Sequence, residues 1–258
     1  MSGSLFPIIL TPKDEVECYA QLRVPLDSGI YQVAIRKYRC SNPTFGKDPG
    51  HGGTQEAVRF KDRVLRAGGR GIVDQLGASA FVGVFVGKGA RRDIIAVLTH
   101  VDRCGLLDSS LDKQAALQKI CDDYIGLDCN GFVGNWADEN CISPIGPSTP
   151  PSGMGHTFRR SKRATLQDIQ PYDILVWHNH VAAVESIGPL VGGGMPHRVA
   201  VVCEAYGAIM CRERNLRPSG QAGQFMVADH TWAAAEAFGV GLGAVAPLAA
   251  APAELALP

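Results

Sequence analysis

The chain of 258 residues has no net charge, since 25 lysines and arginines are balanced by 25 aspartates and glutamates. Nucleic-acid-binding proteins usually carry a basic excess, so the totals speak against that class of partner. The one basic cluster, RRSKR over Arg159–Arg163, reads as a solvated loop. No two of the eight cysteines are spaced as CxxC, so the common zinc and dithiol redox signatures are missing. Their scatter fits reduced thiols. The stretch MSGSLFPIILTPKDE lacks a basic segment and a sustained apolar run, so no secretory signal is expected and synthesis in the cytoplasm is. The apolar stretch after Ala237 is diluted by Gly, Ala and Pro, which predicts a disordered tail over residues 233–258 and no membrane span. No internal repeat is visible.

What is present is an ordinary globular balance, 46% hydrophobic and 19% charged, with length for one large domain or two modest ones. Residues 15–40 alternate apolar and polar in EVECYAQLRV and IYQVAIRKY around the turn-forming LDSG, which predicts a β-hairpin. A Gly-rich stretch, FGKDPGHGG, leads into TQEAVRFKDRVLRAGG, whose apolar spacing and closing glycines predict a helix. AFVGVFVG and DIIAVLTHV read as buried strands. Residues 1–105 therefore form an expected mainly β unit, with no nucleophile–base pair of its own and a role in targeting or partner contact. Residues 106–232 hold a helix from SSLDKQAALQKICDDYIG, capped by Ser109 or Ser110, and a second helix starting at Cys129. A Pro/Gly/Ser loop, PIGPSTPPSGMG, follows, then three strand-like runs, DILVWH, HVAAVESI and RVAVVCEA, the last two joined by the long hairpin loop GPLVGGGMPH. The arrangement is α+β, a helix carrying a cysteine followed by an antiparallel sheet.

That cysteine sits in GLDCNGFVGNW, where a buried structural thiol needs none of its neighbours. A helix N-terminus and a nearby imidazole both favour the thiolate, the nucleophilic form. Gly131 removes bulk behind Cys129 and lets the helix pack closely on a strand. His180, at the head of HVAAVESI, is the expected base, and a third polar group must orient its ring. Glu204, His197 and Asn179 compete for that role. If Ile187 pairs with Val199, Ala182 lies opposite Glu204, and Glu204 is diagonal to His180 on the face shared by Ala182, Val184 and Ser186. On that register His197 lies in the hairpin loop and Asn179 points away, so Glu204 is the first choice and His197 the second.

Asp128–Val133, DCNGFV, resembles the Asp-Cys-Ser-Gly-(Phe/Leu)-Val motif of the NlpC/P60 cysteine peptidases. PYDILVW and HVAAVESI resemble that family's Pro-Gly-Asp strand and its His-Val-Gly-Ile-Tyr strand, in the same order. An acidic third residue is similar to the related CHAP amidases. The resemblance covers about residues 110–230. It implies a papain-like fold with the nucleophile helix packed on an antiparallel sheet, and a Cys129–His180–Glu204 triad that hydrolyses an amide bond, foremost in peptidoglycan stem peptides. It further implies Asp128 beside the substrate amine, the Cys129 N–H in the oxyanion hole, and no cofactor. Asn130 stands where the family has serine, Tyr172 where it has the glycine of Pro-Gly-Asp, and Tyr124 is the nearest counterpart of an oxyanion-side tyrosine. With such a substrate the protein is expected to act at the cell envelope after release or non-classical export. An acyltransferase or deamidase of the same fold, and an inactive peptide-binding domain, remain open.

Two other motifs carry chemistry on paper. His178 and His180 form a His-x-His pair, but no third ligand stands at metal spacing, and no metal is expected. DPGHGG over Asp48–Gly53 resembles the opening of zinc N-acetylmuramoyl-L-alanine amidases, yet the residues before it, CSNPTFGK, do not make the strand that should precede it. Cys121, Cys141, Cys203 and Cys211 read as core or surface thiols.

Overall fold

A computed structural model describes residues 9–40, 54–68, 71–142, 144–193, 196–228 and 231–241. The DPGHGG motif and the tail beyond Gly241 lie outside the described residues. Helix α1 (Pro12–Ala20) leads into a hairpin of β1 (Leu22–Leu26) and β2 (Gly29–Val33). The helices α2 (Thr54–Gly68), α3 (Gly71–Leu76), α4 (Ala78–Phe85), α5 (Arg91–Arg103), α6 (Lys113–Tyr124), α7 (Cys129–Glu139) and α8 (Pro151–Thr157) follow. The strands β3 (Ile174–Trp177), β4 (His180–Ile187), β5 (Arg198–Tyr206), β6 (Ala208–Pro218), β7 (Phe225–Ala228) and β8 (Trp232–Phe238) complete the order. β3 to β8 close into an antiparallel barrel, and β1–β2 form a separate two-stranded sheet. The molecule is thus mixed α/β. Among the described residues, no helix is long and apolar enough to cross a membrane.

The N-terminal unit is helical, which corrects the mainly β expectation. EVECYA belongs to α1, started by Thr11, whose hydroxyl accepts the Asp14 N–H while the Asp14 carboxylate accepts the Thr11 N–H, with Pro12 in the first turn. Only β1–β2 remains of the expected hairpin. AFVGVFVG and DIIAVLTHV are α4 and α5, not strands. In α5 the buried Ile94, Val97, Leu98 and Val101 recur at helical spacing, a stripe that the short apolar window concealed. The expected α2 is present. Helix α6 is capped by Asp112, which accepts the Ala115 N–H, in place of Ser109 or Ser110. Part of the Pro/Gly/Ser loop forms α8.

Two apolar cores lie on the two sides of the barrel wall. Inside are Leu175, Trp177, Ala182, Val184, Ala200, Val202, Leu216, Phe225, Val227 and the alanines 233, 235 and 237. Six strands enclose little space, and the alanines of β8 suit that bore. Residues 233–238, expected in the disordered tail, are therefore barrel wall. Outside, Ile174, Val181, Ala183, Cys203 and Ala205 join one cluster with Phe132, Val133 and Trp136 of α7 and with Tyr19, Val84, Phe85 and Ile94 from before residue 105.

Helix α7 packs on β4 and β5, the neighbours expected for it. The close approach at Gly131 is to a different element, the loop after α4: a Cβ there would lie 1.8 Å from the Gly87 carbonyl oxygen. Gly87 itself has φ 86°, and its carbonyl accepts the Asp128 N–H at 3.0 Å. Gly131→Ala is expected to force these two backbones apart and to destabilise the protein by about 2–3 kcal/mol, read as a lower urea midpoint at unchanged slope.

Candidate active site

Asp128 is the N-cap of α7, its carboxylate accepting the Gly131 N–H at 2.7 Å, and this puts Cys129 at the first helical position. The first amides of a helix have no intrahelical acceptor, and the Cys129 N–H is one of these. The thiol rests against the main chain on either side of His180. Its Sγ donates to the Asn179 carbonyl at 3.7 Å and accepts from the Val181 N–H. No hydrogen bond joins Sγ to the His180 ring. Burial first, then the Asp128 charge, push the thiol up to about 12, against opposing help from the Val181 N–H and Lys88. At neutral pH the resting thiol is protonated.

Asp128 does not lie open to a substrate amine. Its side chain is 3% exposed and both oxygens bind Nζ of Lys88, at 2.5 and 2.6 Å. Burial lifts its carboxyl to about 6 in spite of that ammonium, so the pair is ionised at neutral pH. Lys88, from the loop between α4 and α5, is a site residue that sequence reasoning missed; a lone lysine after a glycine carries no signal of it. Tyr124 is turned away, its ring stacked on Phe60 at 4.1 Å. The tyrosine at the thiol is Tyr38, whose phenol is pushed far up by burial and then by the Cys129 sulfur. Tyr38 is held there by a parallel bridge to Leu127. Asn130 sits at the rim, its amide donating to the Pro147 carbonyl at 3.2 Å.

His180 continues the inward row of Ala182 and Val184, at the barrel mouth. Its Nε2 bonds Glu204 Oε2 at 2.7 Å. The other carboxylate oxygen receives Arg214 at 2.6 Å and Arg212 at 2.9 Å. Trp177 and Tyr206 stand edge-on to the imidazole at 4.6 and 5.1 Å. Glu204 is fully buried, which by itself raises its pKa; the His180 hydrogen bond and charge, with Arg214, outweigh burial and hold the carboxyl below its ordinary value. The structure therefore brings His180 and Glu204 together, and sets Cys129 one residue's backbone away. The expected register holds at this end, where Ala183 pairs with Cys203, but Ile187 pairs with Ala200 instead of Val199, because a β-bulge at Glu185 shifts the ladder. Ser186 accordingly leaves the face expected for it and is exposed. Arg212 and Arg214 were also missed, although their alternation with Leu216 on one strand face was there to find.

The remaining candidates lie apart. His197 bridges Val191 within the hairpin loop, and Asn179 contributes only its carbonyl. Tyr172, in the glycine's place of the turn before β3, has φ 71°, and Asp173 beside it is clasped by Arg163 through two bonds at 2.7 and 2.8 Å. Cys203 and Cys211 are joined by a disulfide, a correction to their reading as free thiols. The two stand opposite each other on β5 and β6, equidistant from Gly207 at the turn. Among the described residues no group of three or more His, Cys, Asp and Glu side chains is placed to hold a metal ion.

Comparison with protein-family models, curated proteins and solved structures gives no match.

Glu204→Gln is expected to leave the buried Arg214 and the half-buried Arg212 without their counter-charge and to cost about 3 kcal/mol or more. Because the folded carboxyl titrates below the unfolded value near about 4.3, its stabilisation is complete above that value and fades as the pH falls through the lower folded one. Acid unfolding followed by circular dichroism should show wild type losing more stability than Glu204→Gln below about pH 4.

Proposed function

We propose that the protein is a cysteine-dependent enzyme of amide hydrolysis, with Cys129 as nucleophile, His180 as general base and acid, and Glu204 as the group that orients the ring. The observation that carries this reading is the buried His180–Glu204 hydrogen bond at 2.7 Å beside a cysteine at a helix N-terminus. With Nε2–H committed to Glu204, Nδ1 is the nitrogen left to take the thiol proton. Rotation of the Cys129 side chain off the Asn179 carbonyl brings Sγ toward that nitrogen. Sγ then attacks the amide carbon, the Cys129 N–H holds the developing oxyanion, and the imidazolium returns the proton to the departing amine. Water hydrolyses the thioester with His180 again as base. The resemblance of DCNGFV and HVAAVESI to NlpC/P60 motifs supports a papain-like arrangement and a peptidoglycan stem peptide as substrate. The closed barrel and the Lys88-bound Asp128 depart from that pattern, so amine recognition by Asp128 is not part of the proposal.

A second reading, a peptide-binding domain without turnover, is favoured by one observation: the thiol is buried, protonated and not bonded to the imidazole. The two readings differ in what purified peptidoglycan becomes. Digestion followed by mass spectrometry is expected to show fragments cut at one class of amide bond with wild type, none with the nearly isosteric Cys129→Ser, and wild-type yields with His197→Ala. Intact sacculi bound equally by wild type and Cys129→Ser would instead establish the binding domain.

A further inference from the structure

A cleft of about 520 Å³ opens beside the candidate site, between α8, the turn at Arg159–Ser161 and the outer face of β3 and β8. Its floor is apolar, formed by Val176, Ala234 and Phe238, and its walls carry His156, Arg159, Lys162 and His178. One carboxylate lines it, Glu236, and Lys162 already neutralises that group at 2.5 Å. Among the described residues, the side chains of His156, Arg159 and His178 have no hydrogen-bond or ion-pair partner. RRSKR is exposed from Arg159 to Lys162, as expected of a solvated segment, but its cations differ: Arg163 pairs with Asp173, Lys162 with Glu236, and Arg159 lines the cleft.

The backbone supplies an independent sign. His178 is the first residue of the two-residue turn between β3 and β4, and it holds φ 49°, a place where glycine is the norm. An imidazole there gains no packing, since the side chain is exposed, and the left-handed conformation is unfavourable for it. Backbone outliers of this kind cluster at binding and active sites, and this one lies on a wall of the cleft. The preceding residue, Trp177, also lines the cleft, while its ring, on the inner face of the barrel, stands 4.6 Å from the His180 ring, so the cleft lies on the strand that leads into the candidate catalytic histidine.

We infer that this cleft binds an anionic group, a carboxylate or phosphate on a small ligand, with Arg159 as the principal cation and His178 and His156 as hydrogen-bonding partners. Guanidinium matches both oxyanions through paired N–H bonds, and the apolar floor suits the carbon skeleton that bears them. The inference does not depend on thiol chemistry.

Isothermal titration of the full chain with succinate, with inorganic phosphate and with neutral succinamide tests it. Succinate or phosphate should bind, succinamide should not, and added salt should weaken the binding. Arg159→Gln should lower the affinity roughly tenfold or more, and His178→Gln should also lower it, whereas Arg160→Gln, outside the cleft, and Cys129→Ala should leave it unchanged. Binding by neither anion, equal binding by succinamide, or wild-type affinity in Arg159→Gln would overturn the inference. Retained binding in Cys129→Ala keeps its outcome separate from that of the hydrolase proposal.

Discussion

A carboxylate with no exposed surface is costly to bury unless charged partners surround it, and the barrel mouth is arranged around one such group. Glu204 reaches His180 on β4 and the two arginines of β6; Arg214 continues to the Ala228 carbonyl of β7 and lies over the Trp177 ring of β3. Five of the six barrel strands thus meet in one network through the adjoining side chains of Glu204 and Arg214. The imidazole inherits its orientation from that network, and its own hydrogen bond and charge, with Arg214, hold the carboxyl below its ordinary value. A hydrogen-bond acceptor of fixed charge and fixed position is what a general base needs behind it.

The thiol is held by a different logic. Its immediate surroundings come from both halves of the chain: Lys88 and Tyr38 from before residue 105, and the β4 backbone from after it. Lys88 keeps an ionised Asp128 tolerable next to a sulfur that the same charge discourages from ionising. The thiol is accordingly neutral at rest, its sulfur lying against the Asn179 carbonyl and not against the imidazole.

The barrel strands β3 to β5, helix α7 and the Glu204 partnership were legible because each rests on local periodicity or on side-chain alternation, which sequence displays directly. The charged shell was not. That Asp128 is filled by Lys88, forty residues earlier, follows from packing of the α4–α5 loop on α7, and nothing near Lys88 in the sequence encodes it. The strands of the N-terminal unit were misread for another reason. Apolar runs of eight or nine residues fit a buried strand and a buried helix alike, and the deciding evidence in α5 lay in the spacing of four residues over two turns. WAAAEAF, rich in a helix-forming residue, is nonetheless a strand that turns Ala233, Ala235 and Ala237 toward the interior core beside the larger Trp177 and Phe225.

The bulge at Glu185 lets one strand obey two phases. On the hairpin-loop side, Ile187 is the residue turned toward the interior core; on the mouth side it is Val184, Ala182 and His180, of opposite parity. The extra residue works as a phase shifter between two reading frames of the same ladder. The pairing at the loop end, Ile187 with Ala200, is therefore one residue out of step with the pairing of Ala183 with Cys203 at the mouth, and the joint lies between them. The frame that sets Glu204 beside His180 is thus separate from the frame in which the strand enters its hairpin loop.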